Sequence, residues 1–171
     1  DSIQTLQFTN PNAINYFYNW VGFQAQNAEK ARITGLELSF NSIGKIGDVE
    51  LTSLLGYTYM NPISLNQDST YRSTFSDTST NMLKYRFRHM AKLDIQAGYR
   101  DFFIGFSTRY NSHMQNIDRV FEKGVLGTEF LVGIEQYRKT YNQGAFVVDL
   151  RFGYNLKNKY KFNFIVNNLL N

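Results

Sequence analysis

The chain has 171 residues, of which 16% are aromatic and 19% are charged, and it carries a net charge of +4 and no cysteine. Soluble chains average about 25% charged residues, so this one combines little charge with many Phe and Tyr side chains. The lack of cysteine excludes a disulfide scaffold and thiolate metal sites. The longest uncharged stretch, residues 2–28, contains Pro11 and many amides, which excludes a transmembrane helix. Lys and Arg are scattered among acids, which argues against a nucleic-acid partner.

Apolar and polar residues alternate with a period of two, the pattern of β-strands that have one apolar face. In chain order, a weak alternating segment at residues 3–8 is followed by clear ones at 35–40, 49–59, 93–99, 102–110, 146–154 and 160–166. Helical spacing is hard to find. The sequence therefore predicts an all-β chain of about seven strands.

The connections between these strands alternate between short and long. The short ones are residues 42–48, 100–101 and 155–159, and the long polar ones are residues 9–23, 61–83 and 113–143. Long loops are uncommon in compact domains unless they are functional. Three of them at one end of an antiparallel up-and-down sheet are typical of a transmembrane β-barrel, which has short periplasmic turns and long extracellular loops.

Aromatic residues on the apolar face form two groups. Those near the short turns are Phe40, Tyr99, Phe102, Tyr154 and Tyr160, and those near the long loops are Tyr57, Tyr59, Tyr85, Phe87, Tyr110 and Phe146. The face between them is mostly aliphatic. Tyr favours a membrane–water boundary, so this pattern indicates the lipid-facing side of a barrel. A soluble lipocalin-like barrel alternates in the same way with its apolar face inward, and periodicity alone does not separate the two.

Residues for catalysis or metal binding are few. The two histidines are His89 and His113, and Ser112-His113 followed by Asp118 is the one arrangement near the outer rim that invites comparison with outer-membrane enzymes. A loop histidine beside a serine is more often a solvated loop, and no pair of residues has metal-ligand spacing. We therefore expect no enzyme activity, no metal and no cofactor.

Three segments resemble motifs of one family. Residues 27–38 (NAEKARITGLEL) are similar to the pattern N-x-x-x-A-R-I-x-G-x-E, and residues 83–89 (LKYRFRH) to L-x-Y-R-P-x-H, with Phe87 in place of the usual proline. Residues 164–171 (FIVNNLLN) resemble the ending V-x-N-L-F-N. The segments lie in the family's order and span nearly the whole chain. The chain thus resembles the barrels of TonB-dependent outer-membrane receptors.

This resemblance implies a barrel of about 22 strands closed by an N-terminal plug, in the bacterial outer membrane. Ligands would bind at loops and plug, and the TonB complex would pull on the plug. The chain shows no plug and no TonB box, so we expect residues 1–171 to be a C-terminal portion of the barrel without its final strand. Its expected partners are the remainder of the barrel, the plug and through it the TonB complex, outer-membrane lipid and an extracellular ligand.

Charged residues on the predicted inward face are candidates for contact with the ligand or the plug: Lys84, Arg86, Arg88, Asp94, Arg109, Asp149 and Arg151. Solvated charges at a barrel rim are the alternative for the first three. Aromatic residues in the extracellular loops are candidate ligand or partner contacts: Tyr16, Tyr18, Trp20, Tyr71 and Tyr137.

The sequence supports one leading hypothesis and two alternatives. The first is the barrel portion of a TonB-dependent transporter that imports a scarce nutrient such as a metal chelate, a cofactor or a glycan. The second is a passive porin or adhesin barrel, and the third is a soluble lipocalin-like barrel that binds a small apolar ligand. A plug encoded upstream would separate the first from the other two.

Overall fold

The computed structural model describes residues 30–124, 128–129, 131–157 and 159–170. Six strands form one antiparallel sheet in sequence order, which confirms the predicted up-and-down barrel segment. The strands are β1 (Ala31–Ile46), β2 (Val49–Ser64), β3 (His89–Tyr99), β4 (Phe102–Asn111), β5 (Ala145–Leu156) and β6 (Tyr160–Val166). The weak strand predicted at residues 3–8 and the connection at 9–23 lie outside the described residues.

The turns between paired strands are tight. β1 and β2 are joined by Gly47-Asp48 alone, so the turn predicted at 42–48 was too long. Residues 42–46 instead belong to β1 and pair in register with β2, and Gly47 has the positive φ of 59° that a two-residue hairpin turn requires. The turn predicted at residues 100–101, between β3 and β4, is confirmed.

The two long connections, residues 65–88 and 112–144, lie at the opposite end of the sheet from these turns. They contain short helices that the sequence did not predict: α1 (Ser69–Arg72) in the first, and α2 (Arg119–Lys123) and α3 (Ile134–Thr140) in the second. Asp68 caps α1 by accepting a hydrogen bond from the backbone N–H of Thr70. Among the residues that the structure describes, no helix is long and apolar enough to cross a membrane.

Strand register confirms the alternation of apolar and polar faces. At the short-turn end of the apolar face, one row runs through Tyr99, Phe102, Tyr154 and Phe162. The rings of Phe102 and Tyr154 stack with centroids 4.4 Å apart. At the loop end of the same face, a second aromatic row includes Tyr57, Tyr110 and Phe146.

An aliphatic row between the aromatic rows contains Leu55, Leu93 and Val148. Phe40 pairs with Leu55 and so lies in this row, not near the short turns as predicted, because β1 continues six residues further. Many apolar side chains of this face are exposed, including Ile104 and Phe164. Phe75 and Met82, each 1% exposed, instead lie in a loop.

The six-stranded sheet does not close on itself. Within the described ranges, the outer edge of β1 and the free edge of β6 pair with no other strand, and all of β1 is exposed. The sheet therefore has a lipid-type outer face, a polar inner face, two free edges and one end covered by loops.

Candidate functional site

Charged side chains meet on the inner face of β3, β4 and β5. Register places Lys92 opposite Arg109, and Asp94 opposite Ser107, which is itself opposite Asp149. Arg151 lies one row nearer the short turns. We call the five charged residues Lys92, Asp94, Arg109, Asp149 and Arg151 the inner-wall cluster. The structure thus brings four of the predicted site residues together and adds Lys92, which the inner-face alternation of β3 could have singled out.

The strongest contact of the inner-wall cluster joins two strands that are not neighbours. Arg151 Nη2 on β5 donates to both carboxylate oxygens of Asp94 on β3, at 2.9 Å each. Gly105 on the intervening strand β4 lies beneath the guanidinium, and a Cβ added there would be 2.8 Å from Arg151 Nε. A glycine opposite an arginine is therefore what allows this side chain to lie flat against the wall.

The other charges of the cluster are less well neutralised. Arg109 Nη2 lies 3.6 Å from Asp149 Oδ2, and its side chain is 56% exposed. Asp149 Oδ1 accepts a hydrogen bond of 2.9 Å from the backbone N–H of Asn168. The side chain of Lys92 is exposed and makes no ion pair or hydrogen bond within the part of the chain that the structure describes. Of the two neighbouring cations, Arg109 is thus paired with Asp149 at 3.6 Å, whereas Lys92 has no acidic partner among the described residues.

The two long loops dock on one another, and we call residues 65–88 and 112–124 the loop module. Backbone hydrogen bonds cross between the loops, from Ser76 N to Ile117 O at 3.0 Å and from Arg119 N to Thr74 O at 2.8 Å. Phe75 and Met82 are each 1% exposed between them. The loop module is therefore packed like a small core.

Asn116 is the polar centre of the loop module and is 0% exposed. Its Nδ2 donates to Met82 O at 3.0 Å, and its Oδ1 accepts from the backbone N–H of Asp77 at 2.8 Å. Buried polar groups are costly unless they are hydrogen-bonded, so this amide holds the two loops in one arrangement. No motif in the sequence marked Asn116.

Lys84 lies inside the loop module. It pairs with Asp118, donates to Thr74 Oγ1 at 3.1 Å and lies above the rings of Tyr71 and Phe75, with Nζ 5.8 and 5.4 Å from their centroids. Two of the predicted site residues, Lys84 and Tyr71, are thus in contact with each other rather than spread along the wall.

Tyr85 adds a second bond to Asp118. Its hydroxyl donates to Asp118 Oδ2 at 2.8 Å, and burial is the main cause that raises the pKa of this phenol. Lys84 and Tyr85 together hold the carboxylate at the seam between the loops.

The remaining predicted residues lie near the loop end. Arg86 is exposed, with Nη1 3.4 Å from Tyr85 O. Arg88 Nη2 donates to Asn61 Oδ1 at 3.4 Å, while its buried Nε has no hydrogen-bond partner among the residues that the structure describes. Tyr137 on α3 is exposed and its ring lies 4.7 Å from that of Tyr141. Tyr16, Tyr18 and Trp20 lie outside the described residues.

A polar cleft of about 250 Å³ opens between the loops, and His113 lines it together with Ser76, Asp77, Gln115, Glu122 and Arg138. Arg138 Nε lies 3.3 Å from Glu122 Oε2, and its Nη2 donates to Met114 O at 2.8 Å. Burial, and then the charge of Arg138, lower the pKa of His113, while Glu122 opposes them.

Ser112, His113 and Asp118 do not form a catalytic triad in this arrangement. Ser112 Oγ accepts from the backbone N–H groups of Arg88 and His89, both at 3.0 Å, and Asp118 pairs with Lys84. In the described part of the chain, no group of three His, Asp or Glu side chains is placed to hold a metal ion.

His89 lies on the outer face, where β3 begins. Tyr57 OH and His89 Nδ1 are 2.9 Å apart, and the Tyr59 and His89 ring centroids are 5.2 Å apart. These contacts place His89 beside the aromatic row at the loop end of the outer face.

An up-and-down sheet with an exposed apolar face between aromatic rows, a charged inner face and long loops at one end defines the wall of a membrane β-barrel. The family described as "TonB dependent receptor-like, beta-barrel" matches residues 1–169, and the chain belongs to this family. This match confirms the resemblance seen in the three motifs. Its members are in general receptors and transporters of the bacterial outer membrane that work with a plug domain and TonB. No significant match is found among curated proteins or among solved structures.

Proposed function

We propose that this chain forms part of the wall and outer loops of a receptor that imports a scarce nutrient across the bacterial outer membrane. The nutrient is a metal chelate, a cofactor or a glycan, and transport is driven by the TonB complex through a plug. The observation that carries the proposal is that the two faces and the loop end of one sheet differ in character. The outer face is apolar and suits lipid, the inner face carries the inner-wall cluster, and the loop end is covered by the packed loop module.

The inner-wall cluster supplies the wall contacts in this proposal. Asp94, Arg109, Asp149 and Arg151 present charges of both signs to the lumen. A ring of one sign would select ions of the opposite sign, whereas a mixed surface suits docking of a folded plug or a zwitterionic ligand. Arg86, Arg88 and Tyr137, nearer the loops, are the candidate contacts for ligand that arrives from outside.

The free edges imply further strands. Unpaired backbone N–H and C=O groups cost several kcal/mol each in hydrocarbon, and the described residues leave the edges of β1 and β6 open. We propose that both edges pair with other strands of the same barrel, so that the chain acts as a C-terminal portion of a larger wall.

The test is uptake by cells that carry the full-length receptor. Strains with the receptor, without it, and with the receptor but without TonB are compared for uptake of labelled iron chelates, cobalt-containing cofactors and oligosaccharides. We expect one ligand class to require both the receptor and TonB. Uptake that needs the receptor but persists without TonB would establish a passive pore and overturn the proposal.

A further inference from the structure

The polar cleft between the two long loops is small and has no apolar wall. Its volume of about 250 Å³ falls below the range of about 300–1,000 Å³ that is usual for pockets of drug-sized ligands. All the described residues that line it have polar or charged side chains, and Lys139 and Asn142 complete the set that includes His113. The cleft therefore suits one small polar unit of a ligand, and not an apolar or bulky one.

The two cations of the cleft are already paired with carboxylates. Arg138 Nε lies 3.3 Å from Glu122 Oε2, and its Nη2 donates to Met114 O at 2.8 Å. Lys139 Nζ lies 2.8 Å from Glu135 Oε1. An anionic ligand, such as a negatively charged metal chelate, is bound by cations that are free to contact it. Such a ligand finds no unpaired cation in the part of the cleft that the structure describes.

Three side chains of the cleft make no hydrogen bond to the described residues, and all three are uncharged. They are the amides of Gln115 and Asn142 and the imidazole of His113. Burial, and then the charge of Arg138, lower the pKa of His113, which favours the neutral ring at neutral pH. An amide and a neutral imidazole each offer a hydrogen-bond donor and an acceptor. Sugar hydroxyls also donate and accept, so these groups match them.

One carboxylate adds to this neutral set. Asp77 Oδ1 accepts from the backbone N–H of Ser79 at 2.9 Å and from its hydroxyl at 2.6 Å. Within the described ranges, Asp77 forms no ion pair. A carboxylate accepts a strong, charge-assisted hydrogen bond from a hydroxyl group, and it repels an anion. Asp77 therefore favours a hydroxyl-rich ligand over an anionic one.

Two exposed tyrosines lie on the segment that forms one side of the cleft. Tyr137 on α3 and Tyr141, which follows the last residue of α3, are 60% and 64% exposed. Their ring centroids are 4.7 Å apart. Tyr141 is next in the chain to Asn142, which lines the cleft. A tyrosine offers an apolar ring face and a polar hydroxyl, and the C–H groups on one face of a sugar ring pack against such a ring.

We propose that the polar cleft and the Tyr137–Tyr141 pair form a saccharide site. One neutral sugar residue enters the cleft, and a neighbouring sugar residue packs on the tyrosine rings. The inference rests on the proposed function and selects the glycan among its three nutrient classes. Gln115, Asn142 and Asp77 bind the sugar hydroxyls, and the Arg138–Glu122 pair holds the cleft in shape.

An oligosaccharide array tests the ligand class. The array carries neutral, anionic and cationic oligosaccharides, and it is probed with the labelled full-length receptor in lauryldimethylamine oxide, a detergent without a sugar headgroup. We expect binding to at least one neutral oligosaccharide, whose Kd is then measured by titration calorimetry. Binding to charged oligosaccharides alone, or to none, would overturn the inference.

Gln115→Ala tests the cleft, with Gln136→Ala as its matched control. Gln136 lies on α3 with its Nε2 3.4 Å from Thr140 Oγ1, and it does not line the cleft. We expect Gln115→Ala to raise the Kd for the bound oligosaccharide about 3- to 10-fold, the effect of one lost hydrogen bond. Gln136→Ala should leave the Kd unchanged, and both variants should keep slow hydrogen exchange in residues 65–88. Equal Kd values in the two variants would contradict a site in the cleft.

Tyr141→Ala tests the aromatic part of the site. Removing the ring should raise the Kd about 3- to 10-fold, and Tyr141→Phe, which keeps the ring, should raise it less. A Tyr141→Ala receptor that binds the oligosaccharide as tightly as the unaltered one would show that the tyrosine pair is not part of the site.

The inference and the proposed function fail in different ways. A receptor that takes up an iron chelate or a cobalt-containing cofactor through TonB, and binds no oligosaccharide, keeps the proposed function and loses the saccharide site. Uptake that persists without TonB overturns the proposed function, while the array and the Gln115→Ala variant still decide whether the cleft binds sugar.

Discussion

Arg151 and Asp94 are joined across an intervening strand, with the guanidinium passing over the backbone of Gly105 and both contacts at 2.9 Å. Direct cross-strand pairs link only neighbouring strands, whereas this one links β3 to β5 over β4. Its geometry depends on the absence of a side chain at position 105, which is buried beneath the arginine.

Gly105→Ala is expected to break this contact. The added Cβ would lie 2.8 Å from Nε and 3.0 Å from Nη2 of Arg151, so the guanidinium has to shift, which weakens its contact with Asp94. Because the pair is partly exposed, we expect the free energy of unfolding of the full-length barrel to fall by about 1–2 kcal/mol in urea titrations.

Gly98→Ala is the matched control for this substitution. Gly98 is also an inner-face glycine, but an added Cβ there meets nothing closer than 3.9 Å. In a chain that already carries Arg151→Gln, Gly105→Ala should cause no further loss in the free energy of unfolding. Equal urea midpoints for the two alanine variants would contradict the role given to Gly105.

Asp118→Ala is expected to loosen the loop module. The substitution removes the partner of Lys84 and of the Tyr85 hydroxyl, and Asp118 makes no side-chain cap to α2 that would confuse the result. Since Lys84 and Asp118 are only partly buried, we expect a loss of about 1–2 kcal/mol in local stability. Amide hydrogen exchange in residues 65–88 should accelerate.

Glu135→Gln serves as the comparison, because it breaks the exposed Lys139–Glu135 pair on α3. Exposed pairs of this kind contribute little to stability. Exchange in residues 65–88 that is equally fast in both variants, or unchanged in Asp118→Ala, would show that Asp118 does not hold the loops.

The docking of the loops is expected to weaken in mild acid. Burial and the charge of Arg138 lower the pKa of His113, so the docked state favours the neutral imidazole. This stability is fully present above the ordinary histidine pKa of about 6.5 and is lost as the pH falls from there towards the lowered value. Hydrogen exchange of residues 112–124 should therefore be faster at pH 5.5 than at pH 7.5 after correction for the intrinsic rate.

His113→Gln isolates this effect, because glutamine does not titrate. The pH dependence of exchange in residues 112–124 should shrink in the variant. A pH dependence as steep as that of the unaltered chain would contradict the role given to His113.

Leu55→Arg tests the orientation of the sheet. Leu55 lies on the outer face, in the aliphatic row next to the loop-end aromatic row of Tyr57. An arginine on the lipid face of a barrel costs about 2–4 kcal/mol at the bilayer midplane and about 0–1 kcal/mol near its boundaries. We expect an intermediate loss, about 1–3 kcal/mol, in the folding free energy of the full-length barrel in lipid vesicles.

Thr52→Arg is the control, since Thr52 lies on the inner face of the same strand. It should be tolerated much better in vesicles. If Thr52→Arg were the more harmful of the two, the assignment of the faces would be reversed.

Strand alternation was enough to predict the faces of the sheet and most strand positions. The turn at residues 100–101 and the aromatic row through Tyr99 and Phe102 follow directly from a period of two. Ser42, Gly44 and Lys45 resemble turn residues by composition, so the sequence predicts too early an end for β1. In the structure they continue the pairing with β2, and Phe40 therefore lies six residues before the end of the strand.

Strand alternation does not predict the contacts of the loop module. Its contacts join residues far apart in the chain, as between Met82 and Asn116, and no local pattern marks them. Extending the strand alternation into residues 83–88 places Lys84 on the inner wall, but Tyr85 has a φ of 58°, which interrupts the strand. One local signal was available, since Asp68 before α1 is a typical helix cap.

Loop docking also constrains the order in which the barrel assembles. The β3–β4 hairpin lies between the two loops that are joined by the Asn116–Met82 bond and by the backbone bond from Ser76 to Ile117. Before this hairpin forms, each of these bonds would have to close a long flexible segment at an entropic cost. Docking of the loops is therefore expected after insertion of β3 and β4. Pulsed hydrogen exchange during refolding should protect the amide of Asp77 later than those of β3, which makes the loop module a built-in reporter of completed insertion.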